Sequence, residues 1–88
     1  MPTRPDQTDP EQAALWARRR ESVGARIRQL RLERGLTQEA LALESGVSRV
    51  VLINVEFGRR SLLFERLYDL AAALDVPVAE LMVDDEVH

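Results

Sequence analysis

The 88-residue chain has no cysteine and no lysine, and only one histidine, one tryptophan, four glycines and four prolines. Each scarcity narrows what the chain can be. Without cysteine it has neither a disulfide scaffold nor a thiolate metal site, and a reducing, cytoplasmic setting fits. With no cysteine, no lysine and a lone histidine at position 88, most nucleophiles and bases of an active site are missing. A glycine-rich phosphate loop and metal-ligand spacing are missing as well. The chain therefore reads as a non-enzyme with no cofactor and no metal, His88 being part of a terminal segment rather than a ligand. Long hydrophobic runs are also wanting: Val50 to Ile53 and Leu70 to Leu74 are far short of the roughly 20 residues that span a bilayer, so no membrane partner is expected. The opening MPTRPDQTD lacks the apolar stretch of about 7 to 15 residues that a signal peptide needs, and reads as a flexible polar tail over residues 1–9.

Present instead is ordinary globular material, 45% hydrophobic, enough for one small domain. The formal charge of −3 argues, taken whole, against a partner as acidic as DNA. Its distribution argues the other way. Residues 1–17 carry −2, residues 18–60 carry ten arginines and a balance of +5, and residues 61–88 carry −6. A basic middle can meet a polyanion while an acidic end limits non-specific binding. Arginines that are merely solvated helix faces are the plainer alternative.

Helical signals follow one another after the tail. Asp9, Pro10 and Gln12 supply a capping carboxylate, a first-turn proline and an N3 glutamine. They predict a helix from about residue 10 that passes Trp16 and bends or breaks near Ser22-Val23-Gly24. Val23, Ile27 and Leu30 then form one apolar stripe that ends at Gly35. Thr37 caps a second helix at about 38–44, with Leu41 and Ala42 inward and Ser45-Gly46 closing it. Ser48 caps a third at about 49–56, with Leu52 and Val55 inward and Gly58 terminating it. Phe64, Leu67, Leu70, Ala71 and Leu74 mark a fourth, and Pro77 opens a short fifth containing Leu81. The expectation is an all-α, compact five-helix domain over residues 23–82, preceded by a helical extension at 10–22 and followed by an acidic tail at 83–88.

The second and third helices are separated by a short turn centred on Gly46, the length that sets two helices at a steep angle. In a helix-turn-helix the second of the pair enters the major groove. Any three-helix corner shares that spacing, so the turn alone does not decide. The residues around it are more specific. IRQLRLERGLTQEALALESGVSRVVLINVEFGRR followed by ERLYDLAAALDVPVAEL resembles the Xre/Cro-type helix-turn-helix regulators, relatives of phage repressors, over about residues 23–82. The resemblance rests on R-x-x-x-G-L-T-Q, the L-A pair, G-V-S at the turn, V-E-x-G after the third helix and L-A-x-A-L-x-V near the end.

That resemblance implies a repressor-like domain that binds double-stranded DNA, usually as a homodimer on a two-fold operator. It implies that Gln38 touches a phosphate and braces the recognition helix. Ser48, Arg49, Val50, Ile53 and Asn54 fall at base-reading positions. Arg59 and Arg60 fall at phosphate positions, and Arg28 reaches the backbone as well. Arg31 and Glu56 match a salt bridge between the first and third helices, a structural role rather than a DNA contact. Arginine pairs with guanine and asparagine with adenine through two hydrogen bonds each.

Three features depart from the family pattern. Val50 and Ile53 are apolar at reader positions, suited to thymine methyl groups or to a protein partner. Leu62 and Leu63 make the loop before the fourth helix greasy, either tucked under Phe57 or Phe64 or forming a dimer contact. The extension brings Trp16, which packs on the core or on a second subunit, and the run Arg18-Arg19-Arg20, which can follow the DNA backbone as an arm. The competing function is an antitoxin-like or protein-interaction module of the same fold. The leading one is a sequence-specific regulator, cytoplasmic and on the nucleoid when bound.

Overall fold

The computed structural model describes residues 9–82; the polar tail at 1–8 and the acidic stretch at 83–88, with His88, lie outside the described residues. Asp9 caps the first helix, its carboxylate accepting from the Glu11 N–H at 3.0 Å with Pro10 at the first helical position. This helix, α1, spans Pro10–Glu33 without interruption. Next come α2, Gln38–Ser45, α3, Arg49–Glu56, and α4, Phe64–Leu74. A 3-10 segment, Val78–Met82, ends the described chain. Among the described residues there are thus four α-helices and one 3-10 turn rather than five helices.

The helix does not break near Gly24, and the glycine has a packing role there instead. A Cβ built on Gly24 would lie 2.1 Å from the Val55 carbonyl oxygen and 2.9 Å from that of Glu56. The glycine is where the backbone of α1 crosses the C-terminal end of α3. Glycine in a helix interior costs about 1 kcal/mol relative to alanine; here that cost accompanies an approach that no side chain permits. Residues 10–22, expected as a separate extension, thus run on into the following residues as one continuous helix, about 36 Å in length at 1.5 Å per residue.

Each helix contributes to one core: Ile27 and Leu30 from α1, Leu41 from α2, Leu52 and Val55 from α3, and Leu70, Ala71 and Leu74 from α4. Val47 in the turn and Leu81 in the 3-10 segment complete it. Arg26 ties that last segment to α1, donating from Nε to the Glu80 carbonyl at 3.0 Å and from a terminal nitrogen to its carboxylate at 2.7 Å. α4 ends at Asp75 in the left-handed region, φ 57°, and its carbonyl accepts from Arg34 at 3.2 Å.

Replacing Gly24 with alanine raises local helix propensity and still destabilises the fold, because the added methyl meets backbone. The expected loss is about 1–3 kcal/mol, the usual cost of overpacking. Thermal unfolding followed by circular dichroism checks it; a Tm equal to or above that of the parent contradicts the close crossing.

Candidate nucleic-acid interface

The turn between α2 and α3 is built from its own sequence. Thr37 caps α2 by accepting from the Ala40 N–H at 3.0 Å, and Gly46 closes it in the left-handed conformation, φ 77°, at little steric cost. Ser45 is buried, and its hydroxyl accepts from the Val47 N–H at 3.2 Å, so the corner is held from inside. Ser48 then caps α3, accepting from the Val51 N–H at 3.2 Å. From the other side of the corner, Arg66 of α4 donates to the Gly46 carbonyl and to Asp69.

α3 has two faces. Leu52, Val55 and Glu56 are buried, and Val51 packs against the core. Ser48, Arg49 and Val50 are exposed, Val50 by 70%, and Ile53 and Asn54 are half-buried on the following turn. The five residues at reader positions thus lie together along the open side of one short helix. Asn54 donates one amide hydrogen to the Val50 carbonyl at 2.9 Å. Among the described residues nothing else engages this amide, and an amide donor beside an amide oxygen is the combination that pairs with adenine. Past Glu56 the chain folds back, with Gly58 N–H bonded to the Val55 carbonyl and Arg59 N–H to that of Asn54. That reversal delivers Arg59 and Arg60, both exposed, at the end of the same helix. The Arg59 guanidinium lies 4.7 Å from the centroid of the Phe57 ring, which restricts where it can point.

Behind this face is a charged network. Arg31 donates to both Glu56 carboxylate oxygens, at 2.7 and 3.0 Å, and to the Leu36 carbonyl at 2.9 Å. The two side chains are 9% and 2% exposed. Gln38, half-buried at the start of α2, donates to the same carboxylate at 3.2 Å. One carboxylate thus joins α1, α2 and the end of α3. The Gln38 bond to the end of α3 accords with the bracing role expected of that residue, whereas the Arg31 bond to the Leu36 carbonyl has no counterpart in the sequence reading. A signal existed for the α1–α3 crossing: Gly24 stands two helical turns before Arg31, on the same face as a residue matched to Glu56.

Other named residues lie elsewhere. Arg28 is exposed in the C-terminal third of α1 and joins none of these contacts. Trp16 does not reach the core; it is 43% exposed, because α1 carries it about 10 Å beyond Val23, past the packed body. Leu62 packs against the core, whereas Leu63, at the N-cap of α4, is 71% exposed, and Phe57 and Phe64 are themselves exposed rather than covering the pair. Arg20, Arg59, Arg60 and Ser61 line an open polar hollow of about 490 Å³. No described helix is long and apolar enough to cross a membrane.

Comparison with known proteins gives a consistent result. The helix-turn-helix family model HTH_3 matches residues 27–81. The HTH-type transcriptional regulator y4dJ of Sinorhizobium fredii is 44% identical over 63 residues, 72% of this chain and 82% of that one. The cryptic phage CTXphi transcriptional repressor RstR of Vibrio cholerae is 39% identical over 64 residues, 73% of this chain and 58% of the repressor. Among solved structures, the restriction-modification controller protein C.AhdI of Aeromonas hydrophila superposes with a TM-score of 0.69 at 40% identity, over 70% of this chain and 94% of that one.

The buried pair yields a prediction. Arg31→Met leaves the Glu56 carboxylate buried with only Gln38 for a partner, and should lower stability by about 3–5 kcal/mol. Arg31→Met combined with Glu56→Leu should recover much of the loss, since an apolar pair carries no desolvation penalty. Chemical denaturation of the three variants measures the coupling; equal losses in the single and double variants would contradict it.

Proposed function

Because the chain belongs to the Xre-type helix-turn-helix (HTH_3) family of DNA-binding transcriptional regulators, we propose that it is a repressor that grips an inverted-repeat operator as a homodimer, α3 lying in the major groove. The observation that carries this reading is the outward face of α3, with its readers Ser48, Arg49, Val50, Ile53 and Asn54 flanked by Arg59 and Arg60. Arg49 takes guanine, Asn54 takes adenine, and Val50 and Ile53 meet thymine methyl groups, each good polar pair worth about 1–3 kcal/mol of discrimination. Ser48 sits at the groove edge, where its hydroxyl hydrogen remains to donate. Arg59, Arg60, Gln38 and Arg28 contact phosphates and set the register. Two recognition helices reach half-sites about 34 Å apart, one turn of DNA. The exposed Leu63 and Trp16, with Leu62 beneath, supply apolar area for the two-fold contact. The protein then acts in the cytoplasm, on the nucleoid when bound. Repression is supported by the phage repressor named among its relatives.

A second reading has its own observation. Val50, 70% exposed on the reader face, also suits a protein surface, as in an antitoxin-like module that has given up DNA.

Selection from a randomised DNA pool separates the two. A regulator enriches an inverted repeat whose affinity falls steeply with salt; no enriched sequence at low salt decides for the protein partner. On the enriched site, Arg49→Ala should relax one base position, whereas Arg60→Ala should weaken all sequences alike and reduce the salt slope by about 1. Equal, uniform losses in both variants would refute the division of roles. Sedimentation at micromolar concentration should show a dimer, weakened by Leu63→Glu; a monomer there refutes the homodimer.

A further inference from the structure

The N-terminal part of α1 lies outside the matched residues 27–81, yet it is built against the end of α3. A Cβ on Gly58 would lie 2.8 Å from the Cα of Glu21 and 2.6 Å from its Cγ, so the two backbones are in van der Waals contact. This fixes Arg20, the neighbour of Glu21, relative to Arg59, the neighbour of Gly58. Arg20, Arg59, Arg60 and Ser61 line one open polar hollow. Among the described residues no carboxylate pairs with Arg20, Arg59 or Arg60, whereas Arg26, Arg31, Arg34 and Arg66 each pair with one. Arg20 and Arg60 also border the apolar cleft of about 220 Å³ floored by Val23, Val55 and Leu67. A side chain borders both when its methylene stem lies along apolar surface and its guanidinium stands at the water. Stems seated in this way leave the heads with less conformational freedom to lose on binding.

Three guanidiniums without a carboxylate, one hydroxyl and a polar hollow continuous with the end of α3 fit a phosphodiester strand. On the strength of the regulator reading above, we propose that Arg20 is a DNA-binding residue: it takes a phosphate neighbouring the one met by Arg59 and Arg60, so that α1 adds a clamp on the backbone to the helix-turn-helix. The hollow admits a strand because it is open to solvent and polar, and the Ser61 hydroxyl adds a donor suited to a phosphate oxygen. The Glu21–Gly58 contact makes the clamp rigid with respect to α3, so the register set by base reading also sets the phosphate that Arg20 meets.

The experiment is a scan of the selected operator with single neutral methylphosphonates, performed on the parent, Arg60→Gln, Arg20→Gln and Arg20→Lys, with Tm measured for each. The expected result is that Arg20→Gln weakens binding about fivefold and lowers the salt slope by about 1. One phosphate should become insensitive to neutralisation, next to the one silenced by Arg60→Gln. Arg20→Lys should restore sensitivity at that phosphate, and Tm should hold. An unchanged slope with the parental pattern of sensitive phosphates overturns the proposal. So does a loss of affinity spread over all phosphates with a fallen Tm, which is the mark of a purely structural arginine. If the parent itself selects no DNA, the regulator reading fails and the clamp with it, a result distinct from a parent that binds through Arg60 but not Arg20.

Discussion

Glu56 closes α3 while accepting two bonds from Arg31 and one from Gln38, so one buried carboxylate joins the end of α3 to α1 and to the start of α2. A buried ion pair adds little net stability, since desolvation offsets most of the attraction. Its effect is directional. A two-pronged arginine and an amide meet one carboxylate in few geometries, and Arg31 is also bound to the Leu36 carbonyl in the segment leading to α2. Both helices of the corner are thus referred to the same point on α1. Leu52 and Val55 set which face of α3 is buried, and the carboxylate network adds polar bonds at the C-terminal end of the same helix.

The second constraint is distance. At Gly24 and again at Gly58, the absence of a side chain lets α1 and the end of α3 touch by backbone. The two contacts lie close to the carboxylate network, so attraction and steric exclusion act at the same crossing. This is why an added stretch of α1 can matter to a surface it does not share sequence with: Glu21 is pressed on the residue before Arg59.

Much of the local structure was legible because its causes are local. Asp9, Thr37 and Ser48 each accept the backbone bond that their cap positions lead one to expect, Gly46 turns left-handed, α3 spans the expected residues 49–56, and α4 contains the expected apolar set from Phe64 to Leu74. What was not legible depended on elements distant in sequence. Gly24 looks like a breaker until the carbonyls of Val55 and Glu56 are seen above it. The fifth helix is a 3-10 turn, held partly by Arg26 bonds to Glu80 that span 54 positions in sequence. Trp16 continues a stripe in projection, but the body against which a stripe would pack ends before it. Of the candidate interface, Ser48, Arg49, Val50, Ile53 and Asn54 were named from motif matches alone, while the polar hollow that brings Arg20 to Arg59 and Arg60 required the fold.

Every cation on this molecule is an arginine. Acetylation, the common covalent means of deleting a positive charge, acts on lysine side chains and has none to act on in these 88 residues; arginine methylation blocks hydrogen bonds yet leaves the charge in place. The arginine charges at the hollow and at the end of α3 thus lie beyond the reach of lysine acetylation. Adjusting their grip on a polyanion falls to what surrounds them: counterion concentration, rival polyanions, or the number of protein copies in the cell.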